Sequence, residues 1–247
     1  MGKIEARFPS MAVEKEFAQA TGRSDTKGLT DREALHAVLS KNENRYLVRL
    51  LCWVLSIEGL EAYILTPRDH ADYALLVEAL RDPKPSHLDV VIGVRGPIAP
   101  AEMCNGLMVP ILVFDQIYSF DRESLIKAIP RREGLSEEQF TAAAAELIDR
   151  VLQMTDNAGM NRSRALNYLV SRYHAIYHAV AEAFERNESL TSVEVRLSPL
   201  SQTREILDVI FSLTNRSTDV VSRQFVRVDV TEEFPFLVSK LSPYYSR

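Results

Sequence analysis

Cysteine is scarce in this 247-residue sequence, which contains only Cys52 and Cys104. Small proteins that depend on a disulfide framework carry more cysteines than this. The scarcity excludes that class and favours a cytoplasmic protein whose two thiols are reduced.

Basic residues are also in short supply. Lys and Arg together number 29 against 34 Asp and Glu, which gives a formal net charge of −5, and the pI is near 5.6. A broad nucleic-acid surface needs clustered basic charge, and anionic membranes repel an acidic protein. We therefore expect no nucleic-acid partner and no membrane partner.

Long apolar segments are missing as well. The most apolar one, YLVRLLCWVL, is interrupted by Arg49 and is far shorter than the roughly 20 residues that cross a bilayer. The first ten residues, MGKIEARFPS, contain no apolar core of a secretory signal. Neither a transmembrane helix nor a signal peptide is predicted.

Several catalytic and nucleotide-binding signatures do not occur. The sequence lacks G-x-x-x-x-G-K-[ST], G-x-G-x-x-G, H-E-x-x-H and G-x-S-x-G. The residues therefore imply no cofactor, and they favour a protein without catalysis while leaving an enzyme as an alternative.

The first 43 residues have a helical composition. Thr30 and Glu33 have the spacing of a capping box at the start of a short helix. We predict a helical arm or linker over 1–43 and a single domain over 44–247.

Apolar residues alternate with a period of two in both flanks of that domain. Over 52–65 the apolar positions change from odd to even at Gly59, which indicates a strand with a bulge or sharp bend. The segments 193–197, 207–213 and 226–230 predict a three-stranded antiparallel meander.

Helical periodicity lies between these strands. Phe140, Ala144 and Leu147 share one face of a first helix, and a longer helix is predicted over roughly 161–187. Strands on both sides of a helical middle predict an α+β fold. We expect one mixed, largely antiparallel sheet, continuous and with helices packed on one face, plus the short N-terminal helical arm.

The stretch EMCNGLMVPILVFDQIYSF, residues 102–120, holds two candidate binding residues. Asn105-Gly106 is typical of a two-residue turn, with Cys104 before it and Asp115 inside the apolar strand that follows. A nucleophilic cysteine needs a nearby base or positive field to lower its pKa, and no histidine is close in sequence. A carboxylate among apolar neighbours either accepts hydrogen bonds or titrates abnormally. The alternatives are a structural or incidental thiol, and a structural carboxylate that is either buried and hydrogen-bonded or at a sheet edge.

A second pattern is H-x3-H-x3-E, formed by His174, His178 and Glu182 on the longer helix. Positions eight apart are separated by about 12 Å along a helix axis, so one ion cannot bind all three. His174 and His178 could share a metal with ligands from elsewhere in the chain. The alternative is a solvated helix face with His178 and Glu182 as an i,i+4 pair.

Arg95 is the last candidate. It lies in the segment GVRGP at a predicted strand end, where its guanidinium could hold a carboxylate. A structural turn shaped by the two glycines is the alternative.

Three whole segments resemble a known family. They are RYLVRLLCWVLSIEGLEAYIL (45–65), DVVIGVRGPIAPAEMCNGLMVPILVFDQIYSFD (89–121) and FVRVDVTEEFPFLVSKLSPYY (225–245). They look like the C-terminal domain of the PatA and PatG proteases, which mature cyanobactins of the patellamide type. That domain has no assigned function, and the protease chemistry of the family belongs to a different domain. The resemblance therefore implies no catalytic residues in this chain.

The resemblance implies a setting in the maturation of a ribosomally made, modified peptide. Our leading hypothesis is a non-catalytic accessory domain that binds the precursor peptide or a maturation enzyme, with an exposed sheet edge as one physical route. Two alternatives remain: a metal- or cysteine-dependent enzyme that modifies peptides, and a module that forms a homodimer.

Overall fold

The computed structural model of the protein describes residues 1–22, 28–81, 84, 86–130, 136–154 and 161–245. The chain divides into two compact units, Met1–Arg122 and Glu123–Arg247. Helices and strands occur in both, so the predicted α+β class is confirmed.

The described residues of the first unit form five strands and four α-helices. In chain order these are β1 (Lys3–Arg7), α1 (Met11–Gly22), α2 (Asp31–Leu39), α3 (Arg45–Leu50), β2 (Cys52–Ile57), β3 (Leu60–Pro67), α4 (Tyr73–Ala79), β4 (His87–Ile98) and β5 (Pro110–Asp121). The strands form one mixed sheet in the order β1-β2-β3-β5-β4, in which only β3 and β5 pair in parallel.

The two outer strands of this sheet also touch. The backbone N–H of Gly2 donates to Asp89 C=O at 2.9 Å, and the N–H of Asp89 donates to Gly2 C=O at 2.7 Å. The sheet therefore curls until its first and last strands meet, which covers part of each edge.

The change of apolar phase at Gly59 comes from a hairpin. Glu58 and Gly59 have φ angles of 52° and 79°, and Ile57 pairs with Leu60 on either side of them. Two consecutive positive φ angles are typical of the two-residue turn that suits strand twist. The predicted bend is thus a full reversal between β2 and β3.

Helices cover one face of the first sheet. Trp53, Leu55 and Phe114 on that face form a buried cluster with helical residues such as Phe17 and Leu76. The indole N–H of Trp53 donates to Val48 C=O at 2.8 Å, so its one polar group is satisfied inside the core.

A β-bulge lies in the middle of β5. Ile92 pairs with Gln116 and Gly93 pairs with Phe114, so Asp115 is the extra residue. A Cβ at position 93 would overlap the carbonyl oxygen of Val113 and lie 2.5 Å from Phe114 Cα. Only glycine fits this close approach of the two backbones.

In the second unit, the part of the chain that the structure describes forms four α-helices followed by four strands. The first of these helices begins at Arg122, the last residue of the first unit. The elements are α5 (Arg122–Ala128), α6 (Glu137–Met154), α7 (Asn161–Arg172), α8 (Ala175–Glu185), β6 (Glu188–Leu197), β7 (Ile206–Asn215), β8 (Val221–Asp229) and β9 (Phe236–Pro243). The strands form an antiparallel meander in the order β6-β7-β8-β9.

One face of the meander packs on helices. Val209, Phe211 and Val226 are buried on that face, and Phe140 and Leu147 of α6 are buried on the helical side. The meander is confirmed, with β9 as a fourth strand. Sequence reasoning missed β9 because the four apolar residues of FLVSKLSP do not alternate with polar ones and the segment ends in proline.

Three details of the prediction are wrong. The strands form two sheets, because periodicity identifies strands but carries no information on which strands pair. The helix over 161–187 is two helices, α7 and α8, that are interrupted at Tyr173 and His174. Asn105-Gly106 belongs to a short 3-10 turn at Cys104–Gly106 within the β4–β5 connection and is not itself a two-residue hairpin turn.

The segment 1–43 contains more than the predicted arm. The two helices are present, and the Thr30–Glu33 capping box is confirmed. However, β1 pairs with β2 along its whole length, and Ile4 is fully buried. Residues 3–7, KIEAR, gave no strand signal because a five-residue segment with two apolar positions is too short to establish a period. The expected boundary before residue 44 thus differs from the division at residues 122 and 123.

Candidate functional site

The outer face of the four-stranded sheet, opposite its helices, carries a set of arginine and aromatic side chains. Strand residues alternate between faces, so Arg223, Phe225 and Arg227 of β8 lie on the same side. We call this surface the arginine face and define it by six residues: Arg196, Arg204, Arg223, Phe225, Arg227 and Tyr244.

Two of these arginines lie over buried carboxylates. Arg227 Nε donates to Asp208 Oδ1 at 2.9 Å, and Arg204 Nε donates to Asp229 Oδ2 at 2.5 Å. The carboxyl side chains are 7% and 2% exposed, whereas those of Arg227 and Arg204 are 26% and 47% exposed. The negative charge therefore lies beneath the surface and the positive charge faces solvent.

The Arg204–Asp229 pair changes the titration of the carboxyl group. The hydrogen bond from Arg204 lowers the pKa of Asp229 to about 2; burial opposes this shift, and bonds from Thr231 add to it. Asp229 is therefore ionised at any pH near neutrality.

Aromatic rings lie under and beside the guanidinium groups. The Arg227 guanidinium is 4.8 Å from the centre of the Phe225 ring, and that ring makes an edge contact with Tyr244 at 5.5 Å. Arg204 lies in the same way over Phe236, at 5.3 Å. These cation–π contacts hold the long arginine side chains in fixed positions.

Arg196 and Arg223 complete the face. Arg196 binds Glu194 with two parallel hydrogen bonds of 2.6 and 2.7 Å, which raise the pKa of Arg196 and lower that of Glu194. Arg223 is exposed and helps to lower the pKa of Glu194. The face thus presents ordered, half-exposed guanidinium groups beside aromatic rings, the side-chain types that dominate binding energy at protein interfaces.

The free edge of this sheet has features that oppose strand addition. The register of β8 and β9 shifts on both sides of Arg227, and β9 carries Lys240 and ends in Pro243. Bulges, lysine and proline are common means of protecting an edge strand. At the other edge, β6 contains a bulge at Thr191, whose hydroxyl contacts Thr214.

The first unit contains a buried polar cluster around Asp89, which is fully buried. Its carboxylate accepts hydrogen bonds from Ile4 N–H at 2.7 Å, Ser119 Oγ at 2.6 Å and His87 Nε2 at 2.9 Å. Arg32 Nη2 lies 3.9 Å from the same carboxylate and also donates to Ala79 C=O at 2.5 Å. The cluster ties β1, β4 and β5 together where the first sheet curls on itself.

This cluster holds a serine, a histidine and an aspartate, but not in a catalytic order. In a serine triad the histidine lies between the serine and the carboxylate, where it accepts the hydroxyl proton. Here Asp89 lies in the middle, and both Ser119 and His87 contact it. The arrangement therefore stabilises the fold and does not activate Ser119.

Asp115 lies at the β5 bulge and pairs with the residue that follows β3. Arg68 Nε is 2.9 Å from Asp115 Oδ1, and the Asp115 side chain is 24% exposed. The expected buried carboxylate is therefore half-buried and bound to a cation.

Cys104 is not a free thiol. It forms a disulfide with Cys52 across a Cα–Cα distance of 5.5 Å, so the expectation of two reduced thiols is wrong in this structure. The pairing was not evident because 52 residues separate the two cysteines and only the fold brings β2 beside the β4–β5 connection. A sulfur held in a disulfide cannot act as the nucleophile considered from the sequence.

Arg95 lies on β4 and is exposed, opposite Leu112 of β5. Burial raises the pKa of the Tyr63 phenol, and the positive charge of Arg95 nearby partly opposes this shift. Arg95 therefore belongs to the first sheet and is not part of the arginine face, which lies on the second sheet.

The two histidines of the metal hypothesis lie at the break between α7 and α8. His174 is exposed at the residue before α8, and His178 lies one turn later with its ring 6.0 Å from that of Phe140. Among the residues that the structure describes, no three or more His, Cys, Asp or Glu side chains come together as a metal-binding group. No part of the described chain forms a helix both long and apolar enough to cross a membrane.

The sequence comparison with known families bears on the third segment quoted above, because 45–65 and 89–121 lie outside the matched range. Residues 134–244 match the family model described as PatG C-terminal. A solved structure, "PatG Domain of Unknown Function", aligns with 98% of this chain and 96% of its own length, at a TM-score of 0.73 and 20% sequence identity. No curated protein matches the sequence. The resemblance predicted from the sequence is thereby confirmed: residues 134–244 are similar in sequence to the PatG C-terminal family, and the chain shares the fold of the PatG domain of unknown function.

Proposed function

We propose that this chain is a non-catalytic accessory domain in the maturation of a ribosomally synthesised, modified peptide, and that it binds the precursor peptide or a maturation enzyme. The similarity to the PatG C-terminal family supports the setting. The arginine face supports the binding role, because it is an ordered surface of arginine and aromatic side chains.

The proposal assigns the contact to the face of the second sheet and not to its edge. The edge strand β9 has a shifted register, Lys240 and Pro243, all of which oppose the addition of a further strand. In this proposal the protein has neither a nucleic-acid nor a membrane partner, as its net charge of −5 suggests.

Titration of the full chain with the precursor peptide and with each modifying enzyme of the same pathway tests this function. We expect saturable binding of at least one of them in calorimetry or fluorescence anisotropy. If none binds at concentrations well above those of the cell, the proposed function is wrong.

A further inference from the structure

We infer that the arginine face binds an acidic segment of a peptide or protein, whose carboxylates contact Arg223 and Arg196 and whose apolar side chains pack on Phe225 and Tyr244. This inference names the ligand chemistry of the proposed binding function and rests on that function for its biological setting.

The distribution of charge on the face is the first argument. Asp208 and Asp229 are buried, and the arginines bound to them lie nearer to the surface. A ligand that approaches these two pairs therefore meets the guanidinium groups before the carboxylates, whereas Glu194 of the same face is 49% exposed. The chain as a whole has a net charge of −5, whereas this surface is rich in positively charged side chains. Its charge therefore complements that of an acidic partner.

Arg223 is the second argument. It is exposed at the end of the arginine row, opposite Ser212 of β7, and no carboxylate in the described part of the chain lies within ion-pair distance of it. A planar guanidinium with five donors matches a carboxylate with two parallel hydrogen bonds. Arg223 is thus available for such a pair with a ligand.

The aromatic rings give the third argument. Tyr244 is adjacent to Arg223, since its backbone N–H donates to Arg223 C=O at 2.8 Å, and its ring packs against Phe225. A peptide that alternates acidic and apolar residues could place one kind of side chain on the arginines and the other on these rings. Glu194, whose side chain is 49% exposed, lies on the same face and repels any negative group placed beside it. A peptide can place an apolar residue at that point, whereas the regularly spaced phosphates of a nucleic acid cannot avoid it.

The test measures binding of the full chain to a fluorescent peptide in which glutamate alternates with leucine. The same peptide with glutamine in place of glutamate, and a single-stranded RNA of similar length, serve as competing probes. We expect saturable binding of the glutamate peptide that weakens as salt is added, and roughly tenfold weaker binding of the glutamine peptide.

Variants identify the surface. We expect Arg223→Gln and Arg196→Gln each to weaken binding of the glutamate peptide by about tenfold, which is typical of an interface arginine. Arg49→Gln removes an exposed arginine from α3 of the first unit and serves as the matched control, with no change expected. Thermal unfolding of each variant reports whether the protein remains folded.

The inference is overturned if the glutamate peptide does not bind, if both arginine variants bind it as the unaltered chain does, or if RNA binds and the peptide does not. Its failure can be told apart from that of the proposed function. If a natural partner binds both arginine variants as tightly as the unaltered chain, the proposed function stands and the inference is wrong. If the glutamate peptide binds in an arginine-dependent way but no natural partner binds, the inference stands and the proposed function is wrong.

Discussion

The hydroxyl of Tyr173 accepts a hydrogen bond from the backbone N–H of Leu241 at 3.0 Å. Tyr173 lies where α7 ends, and Leu241 lies on the outermost strand of the meander, where the register of β9 is shifted. The break between α7 and α8 therefore satisfies a backbone group that the irregular β8–β9 pairing leaves without a strand partner.

Substitution Tyr173→Phe tests this contact. Removal of the hydroxyl leaves the N–H of Leu241 without its acceptor, and we expect the free energy of unfolding of the second unit to fall by about 1 kcal/mol. Hydrogen exchange at the Leu241 amide should become faster. Tyr168→Phe, within α7, is the control and should change neither quantity. Equal exchange rates in both variants would show that the contact does not form.

Asp89 should be the most sensitive polar position of the first unit. Replacement by alanine removes the acceptor of the buried Ile4 N–H and His87 ring and of the Ser119 hydroxyl, and we expect a loss of roughly 3 kcal/mol or more in the free energy of unfolding. Asn at this position keeps the shape and one acceptor oxygen, so its loss should be smaller. Trp53, the single tryptophan and a core residue of this unit, reports unfolding by its fluorescence in urea. An alanine variant as stable as the asparagine variant would contradict the role assigned to the carboxylate.

The Arg204–Asp229 pair should make the second unit sensitive to acid. The pKa of Asp229 falls from 3.8 to about 2 on folding, so its stabilisation is fully present above pH 3.8 and is lost as the pH falls toward 2. Arg204→Gln removes the main cause, so the variant should be less stable near neutral pH and show a shallower loss of stability between pH 3.8 and 2.

Circular dichroism in urea at several pH values measures this dependence. Arg216→Gln is the matched control, because Arg216 also lies over a ring, that of Phe184 at 4.6 Å, but forms no ion pair with a carboxylate among the described residues. Identical acid profiles for Arg204→Gln and the unaltered chain would remove the explanation.

The Cys52–Cys104 disulfide should stabilise the first unit by about 4 kcal/mol, as expected from loop closure over a separation of 52 residues. Addition of a reductant should therefore lower the urea midpoint seen by Trp53 fluorescence. In the variant with both cysteines changed to alanine, the reductant should have no effect. If the reductant does not change the urea midpoint of the unaltered chain, the disulfide does not form in solution.

Local pattern was sufficient for much of the fold. The capping box at Thr30 needs only two residues three apart, and the alternation in β7 and β8 needs only one buried face. Both signals act over a few residues, so neighbouring side chains in the sequence carry them. The resemblance to the PatG C-terminal family is a likeness of sequence and not of pattern, and of the three segments that suggested it only 225–245 overlaps the matched residues 134–244.

The roles of the candidate residues could not be predicted from local pattern. Asp115 and Cys104 were chosen for their side-chain chemistry, but Asp115 forms a half-exposed ion pair with Arg68 and Cys104 forms a disulfide. The arginine face passed unnoticed, although Arg223, Phe225 and Arg227 alternate plainly. Alternation assigns residues to one face, but it cannot tell that Asp208 lies under Arg227, because that pairing depends on the register of two strands.

The sequence by itself determined the α+β class and most helices and strands, since these depend on local propensity and apolar periodicity. The likeness to a known domain came separately, from the similarity of residues to those of the family. Tertiary structure alone decided that the strands form two sheets, that Cys52 meets Cys104, and that carboxylates lie beneath an exposed row of arginines. These features join residues that are distant in the chain, and only strand register and packing bring them together.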